Sequence, residues 1–371
     1  MKRFAFAIHP LDMTDVARFE PKAANKRRSV VEKVLEWTPP YKLSHITGLR
    51  SDAGAEAEGW FIAVPFLPNQ LLSFPKEKVM AKILGAEKVA RELGAGILGL
   101  GGYTSVVSRG GTDVAKEAAI AVTTGNSFTV WTAMEGAFEG ARLLGIDPSE
   151  ATATIVGASG SIGNVIARLI APRVRQLHLV ARNRIRLTRI ARELTQETGR
   201  EVVISTELAP SLSVSDIVIS ATSSGGQIIP SECLKAGAIV CDVSLPYDVC
   251  REVAQDRPDV LVIEGGGVEV PGGRIDLGFD IGYPPGVVLA CMAETMILCL
   301  EGKLEDFSLG LRISIAEIEE IRRLAAKHGF RLAGFRSFGR PVSEEQIGRV
   351  RDMAARSRQK SPRIARRSTG G

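Results

Sequence analysis

The stretch Thr154-Ile155-Val156-Gly157-Ala158-Ser159-Gly160-Ser161-Ile162-Gly163 narrows what this chain can fold into more than any other. A short β-branched run, a turn with three glycines and an apolar run read as strand, tight turn and helix. Glycines spaced G-x-x-G-x-x-G let the backbone bend sharply and bring it close to a ligand, and the first amides of the helix carry partial positive charge. That combination suits the pyrophosphate of a dinucleotide. Around it the chain alternates apolar strand-like runs (153–156, 177–180, 202–205, 217–220, 239–243, 260–263) with helical ones (161–171, 185–198). This rhythm predicts an α/β fold, a doubly wound parallel sheet of Rossmann type over residues 151–270.

The end of the second strand bears on which dinucleotide. An NAD site places Asp or Glu there to hold the ribose hydroxyls, whereas this chain reads Val180-Ala181-Arg182-Asn183-Arg184. With no acid present, Arg182 and Arg184 offer charge and bidentate donors to a 2′-phosphate, so NADPH is the expected cofactor. The bland alternative is that both arginines begin a basic surface helix. Gly157, Ser159, Gly160, Ser161, Ile162 and Gly163 would hold the pyrophosphate, with Asn183 beside the two arginines. Thr222, Ser223 and Ser224 follow a later strand at the sheet's carboxyl edge, on the nicotinamide side, and residues 243–246 occupy the equivalent edge one strand on.

Residues 1–150 read as a separate α/β substrate domain, with a strand at 60–64, helices at 78–93, 113–122 and 127–144, and a glycine-rich buried segment at 97–107. Residues 271–332 read as a C-terminal helical segment, with helices at 286–300 and 315–328. Between residues 331 and 371 stand eleven Lys or Arg against three acids, a balance of +8 that leaves the other 330 residues at −3. The segment 333–371 therefore reads as a solvated basic appendage. Its sharper alternatives are a contact with an acidic carrier protein or with an anionic membrane surface; nucleic acid is set aside because no recognition fold accompanies the charge. The apolar run 4–8 is ended by His9 and Pro10 too soon for a secretory signal. The five cysteines are odd in number, form no C-x-x-C pair and have no His at ligand spacing. They read as reduced thiols of a cytoplasmic protein with no metal site.

In the 286–300 helix, Cys291, Glu294, Thr295 and Leu298 share a face. A Cys early in a helix can have a lowered pKa and attack a thioester; a free Cys is also commonly just a small core residue. Several ordered stretches between about residues 66 and 332 resemble the long-chain acyl-[acyl-carrier-protein] reductases. They are Phe66-Leu67-Pro68, Leu100-Gly101-Gly102-Tyr103-Thr104-Ser105, Thr123-Thr124-Gly125-Asn126, the glycine turn, Ala181-Arg182-Asn183, Ala290-Cys291-Met292-Ala293-Glu294 and His328-Gly329-Phe330. The resemblance implies that Cys291 takes the acyl group from an acyl carrier protein or coenzyme A thioester and that NADPH reduces it to a fatty aldehyde, which an aldehyde-consuming enzyme would receive. Thr124, Asn126 and Glu294 are candidates for substrate or oxyanion contact. Where that family carries a His two residues past the Asn, this chain has Phe128.

The nucleotide half also resembles shikimate dehydrogenases and glutamyl-tRNA reductases, including Asp242-Val243-Ser244-Leu245-Pro246. A shikimate-type reductase of a small carbonyl substrate needs a Lys–Asp pair. Lys76 or Lys78 could offer the Lys, but Ser127-Phe128 stands where the Asp is expected. A glutamyl-tRNA reductase needs an N-terminal nucleophilic Cys, and residues 1–232 have none. From a different class, a non-catalytic NADPH-responsive interaction protein would bind the cofactor and be indifferent to loss of Cys291.

Overall fold

In the computed structural model, residues 1–360 are described; residues 361–371, the distal part of the basic segment, lie outside the described residues. The first sheet comprises β1 (Lys2–Ile8), β2 (Tyr41–Arg50), β3 (Glu56–Ala63), β4 (Ile97–Leu100) and β5 (Ala121–Thr123), in the order β2-β3-β1-β4-β5. Only β2 runs antiparallel to its neighbour. The period of two in Phe4-Ala5-Phe6-Ala7 divides β1 between two cores. Ala5 and Ala7 face helix α1 (Lys76–Glu92) beside Ile62, Ile83 and Ala86, and Phe4 and Phe6 face the opposite layer with Phe61. The helix expected at 113–122 stops at Ala115, because residues 121–123 are drawn into the sheet as β5 beside β4.

The second sheet is wholly parallel: β6 (Thr152–Val156), β7 (Gln176–Val180), β8 (Val202–Ser205), β9 (Ile217–Ser220), β10 (Ile239–Asp242) and β11 (Leu261–Glu264), in the order β11-β10-β9-β6-β7-β8. The strand order reverses between β6 and β9, so the doubly wound Rossmann expectation describes the sheet that forms. Helices α2 (Asn126–Leu143), α3 (Ser161–Ile170) and α4 (Arg184–Thr198) cover it, and their apolar faces share one core with Ile155, Ile239, Cys241 and Ile263.

The lobes do not follow the linear division expected from sequence. Helix α2, assigned there to the N-terminal domain, lays Val130, Ala133, Ala137, Phe138 and Ala141 on the Rossmann sheet. Its Gly140 permits this contact, since a Cβ there would lie 2.1 Å from the Ile239 side chain. Conversely, the segment 271–332 forms no body of its own. Helix α5 (Ala290–Glu301) buries Met292, Ala293, Met296 and Ile297 against Phe4, Phe6 and Phe61, and α6 (Ile315–His328) backs it with Ile321 and Leu324. The chain therefore crosses from one lobe to the other and back. Residues after 332 also depart from the solvated appendage: Ile347 and Val350 are buried in the Rossmann core, and Phe335 packs against it. The apolar positions of an otherwise charged helix supply a buried stripe that net charge does not reveal. Among the described residues no helix is long and apolar enough to cross a membrane.

Val350→Ala is expected to lower the unfolding free energy by about 2 kcal/mol in urea titration. The exposed neighbour Arg351→Ala should change it by less than about 0.5 kcal/mol. Equal, negligible effects would return this segment to the status of an appendage.

Candidate functional site

The turn between β6 and α3 has the shape that its glycines dictate. Gly157 sits at φ +82°, and a Cβ there would come within 2.3 Å of the Ala221 carbonyl oxygen. At Gly163 a Cβ would lie 2.4 Å from the Gly157 oxygen, so helix and turn could not close on each other. Gly160 caps α3 with no side-chain hydrogen bond, which leaves the amides of Ser161, Ile162 and Gly163 free of a side-chain cap. Backbone donors around a space that any side chain would fill are suited to a pyrophosphate. Arg182 and Arg184, just past β7, are both exposed and, among the described residues, in no ion pair. Asn183 caps α4, its side chain accepting from the Arg186 amide at 3.0 Å.

The loops after β9 and β10 are tied together by a residue that the sequence reading missed. Asp248, fully buried, accepts hydrogen bonds from Ser220 (2.6 Å) and Ser244 (2.5 Å) on Oδ2. Its Oδ1 accepts from Thr222 (2.6 Å) and Ser224 (2.9 Å). The Thr222 hydroxyl proton is therefore spent on Asp248 and that of Ser224 is shared between Asp248 and the Gly226 carbonyl (2.9 Å), so their part is to shape the loop. Ser223 lies exposed between them. No local pattern announces Asp248; it is recognised only once four hydroxyls, one at the end of β9 and three in the loops after β9 and β10, converge on it.

Cys291 stands where the two lobes meet. The sequence reading begins its helix near residue 286, but Val287–Leu289 pair as a strand with Gly267–Glu269, so α5 begins at Ala290 and Cys291 is its second residue. The Ala290 amide donates to the Gly266 carbonyl (2.8 Å), two residues past β11. From the other lobe the turn after β5 abuts it: a Cβ on Gly125, at φ +74°, would lie 2.2 Å from the Cys291 Cα. The helix start does not lower the thiol's pKa as expected. Burial pushes it up to about 12, Glu294 pushes the same way, and the Met292 amide only partly opposes them.

Glu294, one turn along, is fully buried. It accepts from the Thr123 hydroxyl (2.5 Å) and the Phe128 amide (2.8 Å), and burial raises it to about 7. Phe128 contributes only its backbone to this group, while its ring stacks on Trp131 at 5.4 Å. The Thr124 hydroxyl donates to the Ser308 carbonyl (2.6 Å), so its proton is spent on holding the loop and is not free for an oxyanion. The Asn126 side chain, at the start of α2, has no hydrogen bond among the described residues and remains a free donor. Lys76 and Lys78, the candidates for a shikimate-type dyad, pair elsewhere, with Asp113 (2.6 Å) and with Glu36.

Residues 141–264 match the shikimate/quinate 5-dehydrogenase family model. With the glycine turn and the sheet order, this defines the class: a NAD(P)-dependent reductase with a Rossmann nucleotide domain. The chain is 30% identical over 81% of its length to the aminotransferase PigE of a Serratia species, spanning 35% of that protein. It is also 30% identical, over 79% of its length, to the long-chain acyl-[acyl-carrier-protein] reductase of Synechococcus elongatus, of which it spans 87%. The chain belongs to the family of that reductase. Among solved structures, shikimate 5-dehydrogenase from Listeria monocytogenes is similar over 52% of this chain and 62% of its own (15% identity, TM-score 0.31). Glutamyl-tRNA reductase from Methanopyrus kandleri is similar over 76% of this chain and 55% of its own (17% identity, TM-score 0.29).

Raising the Glu294 pKa from 4.5 to about 7 has a definite sign for stability. The folded state binds the proton more tightly, so this contribution is complete below pH 4.5 and is lost as pH rises through 7. Between pH 4.5 and 8, wild type should lose about 3 kcal/mol relative to Glu294→Gln in paired urea titrations. A difference that does not change with pH would show that Glu294 is not the buried acid described.

Proposed function

We propose that this chain reduces a fatty acyl thioester to the aldehyde with NADPH, through an acyl group carried on Cys291. The observation that supports it most is the placement of Cys291, pinned between the end of β11 and the turn after β5 at the mouth of the nucleotide sheet. The membership of the chain in the acyl-[acyl-carrier-protein] reductase family points to the same substrate class and to an acyl carrier protein as the donor's carrier. Cys291 Sγ attacks the thioester carbonyl carbon; the new C–S bond forms as the bond to the carrier sulfur breaks, and the carrier leaves as a free thiol. With a thiol raised to about 12, the proton must be taken as the bond forms. Glu294, raised to about 7 and one helical turn away, is the group suited to hold it and return it to the departing sulfur. The Asn126 amide is the free donor for the carbonyl oxygen. The chemistry a bound nicotinamide would supply is a hydride to the acyl carbon. Release of the aldehyde would then leave Cys291 as the thiolate, which takes up one proton from solvent to restore the thiol.

The choice of NADPH rests on Arg182 and Arg184. Replacing both with Ala should raise the Kd for NADPH at least tenfold and leave that for NADH within about twofold. Equal effects on the two cofactors would count against a 2′-phosphate contact.

The decisive experiment offers long-chain acyl carrier protein and acyl-CoA to wild type and to Cys291→Ala. Wild type is expected to release aldehyde with NADPH and, without it, to gain the acyl mass on Cys291. Cys291→Ala should do neither while binding NADPH normally. Undiminished aldehyde formation by the variant, or none by wild type with either donor, would defeat the proposal.

A further inference from the structure

Tyr103 is the one tyrosine whose side chain is at once deeply buried, 2% exposed, and left with a hydroxyl that has no hydrogen-bond partner among the described residues. An unpaired buried hydroxyl costs free energy, so it calls for a partner that arrives later. Its surroundings define that partner's place. The residue follows β4 in the N-terminal lobe and is held rigidly: its amide donates to His9 Nε2 (3.0 Å), and its ring meets the His9 ring edge-on. Because Nε2 accepts, the His9 proton is on Nδ1, directed to the Pro10 carbonyl (3.0 Å), and burial keeps the imidazole neutral. Gly102, at φ +55°, leaves room for this arrangement, since a Cβ there would lie 2.7 Å from Nε2.

The hydroxyl then reaches across to the other lobe. A Cβ on Gly225 would lie 3.1 Å from it, and Asp248 is close enough to oppose ionisation of the phenol. Gly225 lies in the loop after β9, the strand next to the point where the sheet order reverses. With the pyrophosphate at the turn after β6, a dinucleotide crossing that point carries its nicotinamide half over β9 and β10. Cys291 is anchored elsewhere, through the Ala290 amide on the Gly266 carbonyl past β11, and β11 stands two strands from β9. The orphan hydroxyl faces the loop after β9, under the course a dinucleotide takes across the sheet.

We propose that the Tyr103 hydroxyl is the N-terminal lobe's hydrogen-bond partner for the nicotinamide-ribose half of the bound cofactor. Cofactor binding would thus tie the two lobes together. The proposal rests on the nicotinamide-cofactor reading of the Rossmann lobe but not on the acyl substrate.

The test measures binding of NADPH and of 2′,5′-ADP, which is the adenosine half alone, to full-length wild type and to Tyr103→Phe. The variant keeps the buried ring and removes one oxygen. NADPH affinity is expected to fall about 5- to 20-fold while 2′,5′-ADP affinity stays within twofold, with the thermal midpoint of the free protein unchanged or raised. NADPH affinity equal to wild type would overturn the proposal. So would a parallel loss for both ligands, which would make Tyr103 a support of the lobe arrangement instead. If wild type binds neither ligand, the cofactor reading itself fails, an outcome distinct from a failure of Tyr103 alone.

Discussion

The arrangement of this molecule depends on one backbone contact, that between Gly125 and Cys291. The turn after β5 can lie against the start of α5 only because position 125 has no Cβ and tolerates a φ of +74°. Three consequences follow from that approach. It places Thr123 and the first turn of α2 over Glu294, where the hydroxyl and the Phe128 amide satisfy a carboxyl that would otherwise be buried without partners. It leaves Cys291 only partly exposed between the lobes, and burial there pushes its thiol up to about 12. It also sets the starting point of α2, the helix that leaves one lobe and covers the sheet of the other.

At the carboxyl edge of the Rossmann sheet, Asp248 plays a comparable organising part. Four hydroxyls, from the end of β9 and from the loops after β9 and β10, converge on a single carboxyl group. Serine and threonine near a sheet edge are ordinarily read as ligand contacts, but here most of that capacity is turned inward to shape the loop. What remains unengaged is the backbone of the glycine turn, the exposed Ser223 and the buried, unpartnered hydroxyl of Tyr103. This division, with side chains used as scaffold and backbone left for the ligand, matches the demands of a large, extended dinucleotide.

Local readings succeeded where short-range sequence is enough. Strand, turn and helix around Gly157 to Gly163 lie within a dozen residues, and their chemistry is set by steric exclusion that any sequence of that spacing imposes. The Thr-Thr-Gly-Asn and Ala-Cys-Met-Ala-Glu stretches were legible as important, but their roles were not. Thr124 turned out to be engaged by Ser308, 184 positions away, and the pKa of Cys291 follows from burial between two lobes and not from its place in a helix. Asp248 left no signal in the sequence reading, and Tyr103 stood in a stretch marked only by resemblance, with no role attached to it.

By itself the sequence determined the doubly wound nucleotide fold, the glycine turn within it and the presence of Cys291 in a distinctive setting. Periodicity and glycine spacing are local properties, and local sterics carry them into the structure. Only the tertiary structure decided how the lobes are composed, since α2 and α5 each lie on the sheet that their position in the chain would not suggest. It alone decided that the segment after residue 332 enters the core through Ile347 and Val350, because burial of a few apolar side chains outweighs the solvation preference of the charged residues between them. The same reason governs the site: which hydroxyls are free, which carboxyls are neutral and which thiol is protonated depend on neighbours far apart in sequence, brought together by packing that no short stretch encodes.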